Sequence, residues 1–198
     1  MTPDLDLNLD LHLELLRHGE TELGGGLRGS LDDALTPAGW EQMRAAVAEA
    51  GPWQQIVSSP LQRCARFSEE LAARLGLPLH VEADFQELHF GDWEGRSAAQ
   101  IMETDAAGLG AFWDDPYAFT PPSGEPVADF AARVLDAVRR LHASYAGQRV
   151  LLVSHGGVMR LLLAQARGLP REQLLQVVVG HGALLPVRVA ADGGLTEP

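Results

Sequence analysis

The 198-residue chain contains no lysine, so its fifteen basic residues are all arginine. The absence of lysine excludes Schiff-base chemistry on a lysine amine, attachment of pyridoxal phosphate and the lysine of a P-loop. One cysteine, Cys64, excludes an intramolecular disulfide and a cysteine cluster for zinc, and we expect it to be a small core residue. No apolar run approaches the length of a membrane span.

Basic residues are outnumbered by 27 acidic ones, which gives a formal net charge of −12. This balance argues against nucleic acid or an anionic membrane as a partner, because both need a basic surface. An anionic small molecule remains possible where a few arginines converge, since the guanidinium group binds phosphate with two parallel hydrogen bonds. The N-terminus lacks the basic region and apolar core of a signal peptide, so we expect a cytoplasmic protein.

Short apolar runs alternate with helical segments along the chain, and the length predicts a single domain over residues 1–198. Strands are predicted from Leu13 and at residues 56–58, 79–81, 149–153 and 187–189. Helices are predicted from the Thr36-Pro37 cap, from Ser59-Pro60 to about 75, over 126–145 and up to about 167. This alternation predicts an α/β three-layer sandwich with a mostly parallel central sheet.

Two segments depart from this regular alternation. Leucine alternates with polar residues over 4–13, which is typical of a strand or of a flexible leader over residues 1–10. The irregular pattern over residues 92–124 predicts a short, lid-like helical insertion that leads back to the main domain through a proline-rich run. Its aromatic residues either stack on a substrate or form a small core of their own.

Two of the predicted strands end on a histidine followed by glycine. One runs into Arg17-His18-Gly19, and the other runs into Ser154-His155-Gly156. Ligands bind outside the carboxyl ends of the strands in open α/β sheets, so the two imidazoles can face one another there. A single histidine after a strand is commonly structural, but this pair predicts a shared chemical site.

Five ordered motifs turn this expectation into a family resemblance. Arg17-His18-Gly19-Glu20-Thr21 resembles the signature of the histidine phosphatase superfamily, in the branch that contains the cofactor-dependent phosphoglycerate mutases. The remaining motifs are Leu35-Thr36-Pro37-Ala38-Gly39, Ser58-Ser59-Pro60-Leu61-Gln62-Arg63, Glu87-Leu88-His89-Phe90-Gly91-Asp92-Trp93-Glu94-Gly95 and Ser154-His155-Gly156-Gly157. The resemblance implies a phosphoglycerate mutase-like fold and hydrolysis of a phosphate monoester without a cofactor or metal.

The resemblance also implies a role for each matching residue. His18 is the expected nucleophile, which forms a phosphohistidine, and His155 completes the catalytic pair. Arg17 and Arg63 are expected to bind the phosphoryl oxygens together with both histidines. Glu87 matches the proton donor, and Asp92 is the nearby alternative.

The loop after the first motif departs from the family pattern. An asparagine and a Gln-Gly pair that are common in the family are replaced by Gly24 and by Arg28-Gly29. We expect Arg28, Gly29 and Ser30 to contact substrate, although Arg28 pointing into solvent is the alternative. His181 precedes the last predicted strand and either lies on the surface or returns to the pocket.

Within the superfamily the chain looks most like the alpha-ribazole phosphatases of cobalamin biosynthesis. The segments that carry this likeness include Glu20-Thr21-Glu22-Leu23, Arg28-Gly29-Ser30-Leu31-Asp32 and the run Pro121-Pro122-Ser123-Gly124-Glu125. The implied substrate is alpha-ribazole 5′-phosphate. The alternatives are a general sugar-phosphate phosphatase, a phosphoglycerate mutase and a non-catalytic module that binds phosphoproteins.

Overall fold

One six-stranded sheet runs through residues 9–198, the part of the chain that the computed structural model describes. Its strands are β1 (Leu11–Arg17), β2 (Gln55–Ser58), β3 (Leu79–Val81), β4 (Arg149–Ser154), β5 (Leu184–Val189) and β6 (Leu195–Thr196). The strand order is β3-β2-β4-β1-β5-β6. Strands β1 to β4 are parallel, β5 is antiparallel to β1, and β6 is antiparallel to β5. The predicted mostly parallel sheet is thus confirmed. The alternating leucines that precede residue 9 lie outside the described residues.

The helices cover both faces of this sheet. They are α1 (Pro37–Val47), α2 (Gln62–Leu75), α3 (Ala98–Asp114), α4 (Val127–Tyr145) and α5 (Gly156–Ala166). Local signals set several of their ends: the Thr36 hydroxyl accepts from the Gly39 N–H at the start of α1, and Gly76 ends α2 in the left-handed conformation. None of the helices among the described residues is long and apolar enough to cross a bilayer.

Each face of the sheet has its own apolar core. Helices α1 and α2 pack Met43, Phe67 and Leu71 against one face. Helices α4 and α5 cover the other face, where Phe130 and Val134 belong to the buried stripe of α4. The predicted three-layer sandwich is therefore confirmed.

The insertion contains a longer helix than the short one predicted. Helix α3 has 17 residues and is interrupted at Asp105, whose φ of −149° and ψ of 56° are not helical. Trp93 is buried, stacks on Phe119 with ring centroids 5.6 Å apart, and meets Phe112 edge to face. These three rings pack on one another, which favours the small-core interpretation for them.

The start of α2 differs from its predicted form. The helix begins at Gln62, behind Leu61, and no side chain caps it. We expected the Ser59 side chain to cap this helix. Its hydroxyl lies 2.7 Å from Nε2 of His155 instead, a residue that is distant in sequence. The Gln62 N–H donates to the Asp32 carboxylate, so this backbone donor at the start of α2 is not free to bind an anion.

Candidate active site

Adjacent parallel strands bring the two His-Gly segments together. Arg17 at the end of β1 pairs in register with Ser154 at the end of β4, and the His18 N–H donates to the Ser154 carbonyl. The imidazoles of His18 and His155 follow directly, with ring centroids 5.3 Å apart and planes inclined by 61°. The edge of the sheet expected to hold the site therefore places the two rings side by side.

Close backbone packing fixes the turn that follows His18. A Cβ on Gly19 would overlap the carbonyl of Gly39, and a Cβ on Gly39 would overlap the carbonyl of Glu20. Only glycine allows α1 to approach the turn this closely. The start of α1 therefore packs directly against the segment that carries His18.

His18 is held in one tautomer by its own turn. Its Nδ1 lies 2.8 Å from the Gly19 carbonyl oxygen, which can only accept, so Nδ1 carries the proton and Nε2 keeps its lone pair. Burial lowers the pKa of His18 well below its usual value, and the charges of Arg63 and Arg17 act in the same direction against the Gly19 bond. The ring is therefore neutral at neutral pH, with an unprotonated Nε2.

His155 is buried and is bonded at both nitrogens. Its Nδ1 lies 3.3 Å from Nε of Arg63, which can only donate, so Nε2 carries the proton toward the Ser59 hydroxyl. Burial, followed by the charges of Arg63, His18 and Arg17, lowers the pKa of His155 well below its usual value. The ring is thus a neutral donor beside His18.

Cys64 packs under this ring. Its Sγ lies 3.4 Å from the Ser154 carbonyl and 3.8 Å from each nitrogen of His155. Burial raises the pKa of the Cys64 thiol to about 12, so the group stays protonated at neutral pH. This environment suits a core residue and not a redox-active thiolate.

Arg63 is buried and is organised by the loop that precedes α1. Its guanidinium donates to the carbonyls of Leu31 at 2.6 Å and Gly29 at 2.9 Å. The buried Asp33 carboxylate lies 3.5 Å from the same group and 3.4 Å from Nε of Arg28, so it stands between two arginines. Asp33 offsets their charge, and no sequence motif had singled it out.

Arg17 has a donor for which the described part of the chain offers no acceptor. Its Nη1 donates to the Val179 carbonyl at 2.5 Å, whereas its Nε is buried without a hydrogen-bond partner among the described residues. Burial lowers the pKa of Arg17, and the Glu87 carboxylate opposes that effect. A buried unpaired donor beside His18 is the arrangement that an incoming phosphoryl oxygen would satisfy.

Glu87 lies at the same edge, against the start of α5. Its Oε2 accepts from the Gly157 N–H at 2.8 Å, and its Oε1 accepts from the Leu88 N–H at 2.9 Å. Arg133 donates to the Glu87 carbonyl at 3.1 Å and so fixes the backbone of this segment. Asp92, the alternative acid, is exposed on a turn of 3₁₀-helix.

The loop residues predicted to contact substrate are mostly engaged with protein groups. Ser30 donates its N–H and its hydroxyl to Glu94, whose pKa these bonds lower against the opposing effect of its burial. The carbonyl of Gly29 is taken by Arg63. Arg28 bonds the Thr21 hydroxyl and the Gly24 carbonyl, so it does not extend freely into solvent.

His181 is exposed and also lies beside the pocket, so both of its expected positions hold. Its ring lies tilted over His18, with centroids 5.7 Å apart, and the neighbouring Gly182 N–H donates to the Arg17 carbonyl at 3.2 Å. Burial and the charges of Arg17 and Arg28 lower its pKa. The position of His181 before the last predicted strand was its sequence signal. Within residues 9–198, no three His, Cys, Asp or Glu side chains are grouped so as to hold a metal ion.

Comparison with protein families gives one match that covers most of the chain. The model of the histidine phosphatase superfamily, branch 1, matches residues 13–196. A glucosyl-3-phosphoglycerate phosphatase of Mycobacterium tuberculosis is 37% identical over 170 residues, which cover 80% of this chain and 76% of the relative. The adenosylcobalamin/alpha-ribazole phosphatase of Escherichia coli is 31% identical, with 87% of each chain covered.

A third relative is longer than this chain. A bifunctional protein of Mycobacterium tuberculosis is 36% identical over 186 residues, which cover 91% of this chain but only 51% of the relative. The chain thus spans about half the length of that protein.

Solved structures resemble this one closely. YhfR from Bacillus stearothermophilus superimposes with a TM-score of 0.85 at 28% identity, covering 94% of this chain and 95% of its own. A mycobacterial glucosyl-3-phosphoglycerate phosphatase in complex with inorganic phosphate gives a TM-score of 0.80 at 30% identity, with 94% of each chain covered.

Proposed function

The chain belongs to branch 1 of the histidine phosphatase superfamily, and from this premise we propose that it is a phosphatase that hydrolyses a small phosphate monoester through a phosphohistidine on His18. One observation carries the proposal. The neutral imidazole of His18 holds its Nδ1 proton against the Gly19 carbonyl and keeps the Nε2 lone pair free beside Arg17. A nucleophile in that state is ready to attack phosphorus.

In the first step the Nε2 lone pair of His18 forms a bond to phosphorus as the bond from phosphorus to the leaving oxygen breaks. Negative charge on the equatorial oxygens is met by the unpaired Nε of Arg17 and by Arg63. His155 joins them by exchanging its Nε2 contact with the Ser59 hydroxyl for one with a phosphoryl oxygen. Glu87 donates a proton to the leaving oxygen. The products are an alcohol and phosphohistidine.

In the second step water attacks the phosphorus of phosphohistidine, and the bond from nitrogen to phosphorus breaks. Glu87, now a carboxylate, accepts a proton from that water, which restores the acid for the next cycle. The electron pair returns to Nε2 of His18, and inorganic phosphate leaves. The Gly157 and Leu88 N–H groups keep the Glu87 carboxyl in place through both steps.

The first substrate candidate is alpha-ribazole 5′-phosphate, which would place the enzyme in cobalamin biosynthesis. The relative from Escherichia coli supports this candidate with nearly equal coverage of both chains. The packing of Trp93 and Phe112 into a core removes two of the rings that were candidates for stacking on a base. The half-buried Phe90 remains available for such a contact.

The second candidate is a sugar phosphate of the glucosyl-3-phosphoglycerate type. The relative from Mycobacterium tuberculosis supports it at 37% identity, the higher of the two values. Location in the cytoplasm and the lid-like role of residues 92–124 stay predictions.

Labelling tests the phosphohistidine directly. The protein is mixed with a phosphate ester, quenched in alkali and mapped by mass spectrometry, and we expect an acid-labile phosphate on His18. His18→Ala should remove the label and turnover, while His80→Ala, which alters an exposed histidine on β3, should keep both. Turnover by folded H18A would refute the mechanism, and an unlabelled but anion-binding protein would indicate a binding module.

A substrate panel then separates the candidates. The ratio kcat/KM is compared for alpha-ribazole 5′-phosphate, glucosyl-3-phosphoglycerate and simple sugar phosphates, with released phosphate as the readout. A strong preference for one ester identifies the substrate class, and similar values indicate a general phosphatase. A phosphoglycerate mutase would return an isomerised ester instead of free phosphate.

A further inference from the structure

Arg160 lies on the second turn of α5, and the proposed mechanism does not use it. Its Nη1 and the Nε of Arg17 each lie 3.2 Å from the point where a side chain on Gly156 would begin, so the two guanidinium groups are neighbours. The charge of Arg160 contributes to the lowered pKa of Arg17. Among residues 9–198, Arg160 takes part in no ion pair with a carboxylate.

One backbone contact fixes the direction of the Arg160 side chain. Its Nε donates to the Val177 carbonyl at 3.0 Å, in the segment whose Val179 carbonyl binds Arg17. This contact uses one of the five N–H donors of the guanidinium group. The Glu87 carboxylate offsets part of the charge of Arg17, and an anionic ligand between the two arginines would offset more of it.

A small cavity opens between Arg160 and Glu87. It has a volume of about 50 Å³, and its remaining walls are apolar, with contributions from Phe90, Phe112 and Phe130. On this measure one water needs roughly 10–15 Å³, so the cavity admits only a few heavy atoms. Because Glu87 is the proposed proton donor to the leaving oxygen, the cavity lies on the side of the leaving group.

We propose that Arg160 binds a second anionic group carried by the leaving alcohol, a carboxylate or a further phosphate, beside Glu87. This subsite rests on the proposed phosphatase function and narrows its substrate class. Its size fits a single acid group such as a carboxylate and excludes a fused aromatic base. The subsite therefore favours esters whose leaving alcohol carries an acid group over esters whose leaving alcohol is an uncharged nucleoside.

Two matched esters test this subsite. The leaving groups of 3-phosphoglycerate and glycerol 3-phosphate differ in a carboxylate that replaces a hydroxymethyl group. We expect the wild-type protein to prefer 3-phosphoglycerate, and Arg160→Gln to lower its kcat/KM about tenfold to a hundredfold, mainly through KM, the range for a lost charged hydrogen bond. The value for glycerol 3-phosphate should change less than about threefold.

Arg167→Gln is the matched control, since Arg167 lies at the far end of the same helix and pairs with Glu197. It should leave both esters unchanged. Equal losses on the two esters in R160Q would assign Arg160 to the transferred phosphoryl group or to the support of Val177, and would overturn the proposal. So would a wild-type protein without a preference for the carboxylate.

Phosphohistidine labelling keeps this outcome separate from the proposed function. A wild-type protein that labels on His18 and hydrolyses glycerol 3-phosphate equally well retains the function and loses only the subsite. A protein that neither labels nor turns over any ester loses both. If R160Q does not fold, Arg160→Lys is the second variant, and its shorter side chain should keep only part of the preference for the carboxylate ester. A preference equal to that of the wild-type protein would again overturn the subsite.

Discussion

Replacing Glu87 with glutamine tests the proton donor through the leaving group. An alkyl phosphate expels a poor alkoxide, which needs the proton in the transition state, whereas a nitrophenyl ester expels a stable phenolate. Loss of a general acid costs roughly a hundredfold to ten-thousandfold. We therefore expect Glu87→Gln to slow formation of phosphohistidine at least about a hundredfold more on an alkyl ester than on a nitrophenyl ester.

The contacts of Glu87 set the part of the loss that both esters share. Both carboxyl oxygens accept backbone N–H groups, from Gly157 and Leu88, and a glutamine amide turns one acceptor into a donor that faces a donor. An unsatisfied group of this kind costs about 1–3 kcal/mol. The mismatch is the same for either substrate, so its contribution cancels when the rate losses on the two esters are compared.

Rapid-quench burst kinetics is the assay, since slow hydrolysis of phosphohistidine hides the first step at steady state. Asp92→Asn is the control, because Asp92 is exposed, and it should change neither burst rate by more than about threefold. Equal burst losses on the two esters in E87Q would refute Glu87 as the acid. A selective loss on the alkyl ester in D92N would transfer the role to Asp92.

Two further predictions concern stability. The folded-state pKa values of His18 and His155 are lowered, so the unfolded chain binds more protons than the folded protein below about pH 6.5. The free energy of unfolding should therefore decrease as the pH is lowered below about 6.5, by up to about 1.4 kcal/mol per pH unit for each histidine. Urea unfolding at several pH values measures this slope, and a flat profile below pH 6.5 would contradict the buried neutral rings. Gly39→Ala should destabilise the protein by about 1–3 kcal/mol through its overlap with Glu20, while Gly110→Ala on α3, where no other atom is near, should stabilise it by about 0.5–1 kcal/mol. Thermal unfolding compares the two variants, and equal melting temperatures would refute the close approach.

Signals close in sequence predicted much of the fold. Thr36 with Pro37 set the start of α1, and Gly76 set the end of α2, because a cap depends on neighbouring residues. Ser59 was wrongly assigned to a cap, since His155, which is almost a hundred residues away, takes its hydroxyl. Strand β6 was not predicted, because it has only two residues and leaves little pattern to detect.

The same distinction applies to the candidate site, where positions set by strand ends could be predicted and positions set by loop paths could not. The convergence of His18 and His155 followed from strand ends, which a parallel sheet brings to one edge. The position of Asp33 between two arginines and the neighbouring charges of Arg17 and Arg160 depend on loop paths that no short motif encodes. The chemical roles of all these residues stay predictions.

The register of β1 against β4 ties ligand binding to the whole folding reaction. Arg17 and Ser154 meet only after a long chain segment has closed, so a partly folded chain has no complete anion site. An ion that binds only the native state stabilises it by mass action, by about 2.7 kcal/mol at a hundred times its dissociation constant. Inorganic phosphate, the product of the proposed reaction, would then act as a folding ligand that protects the central strands from proteolysis while it competes with substrate.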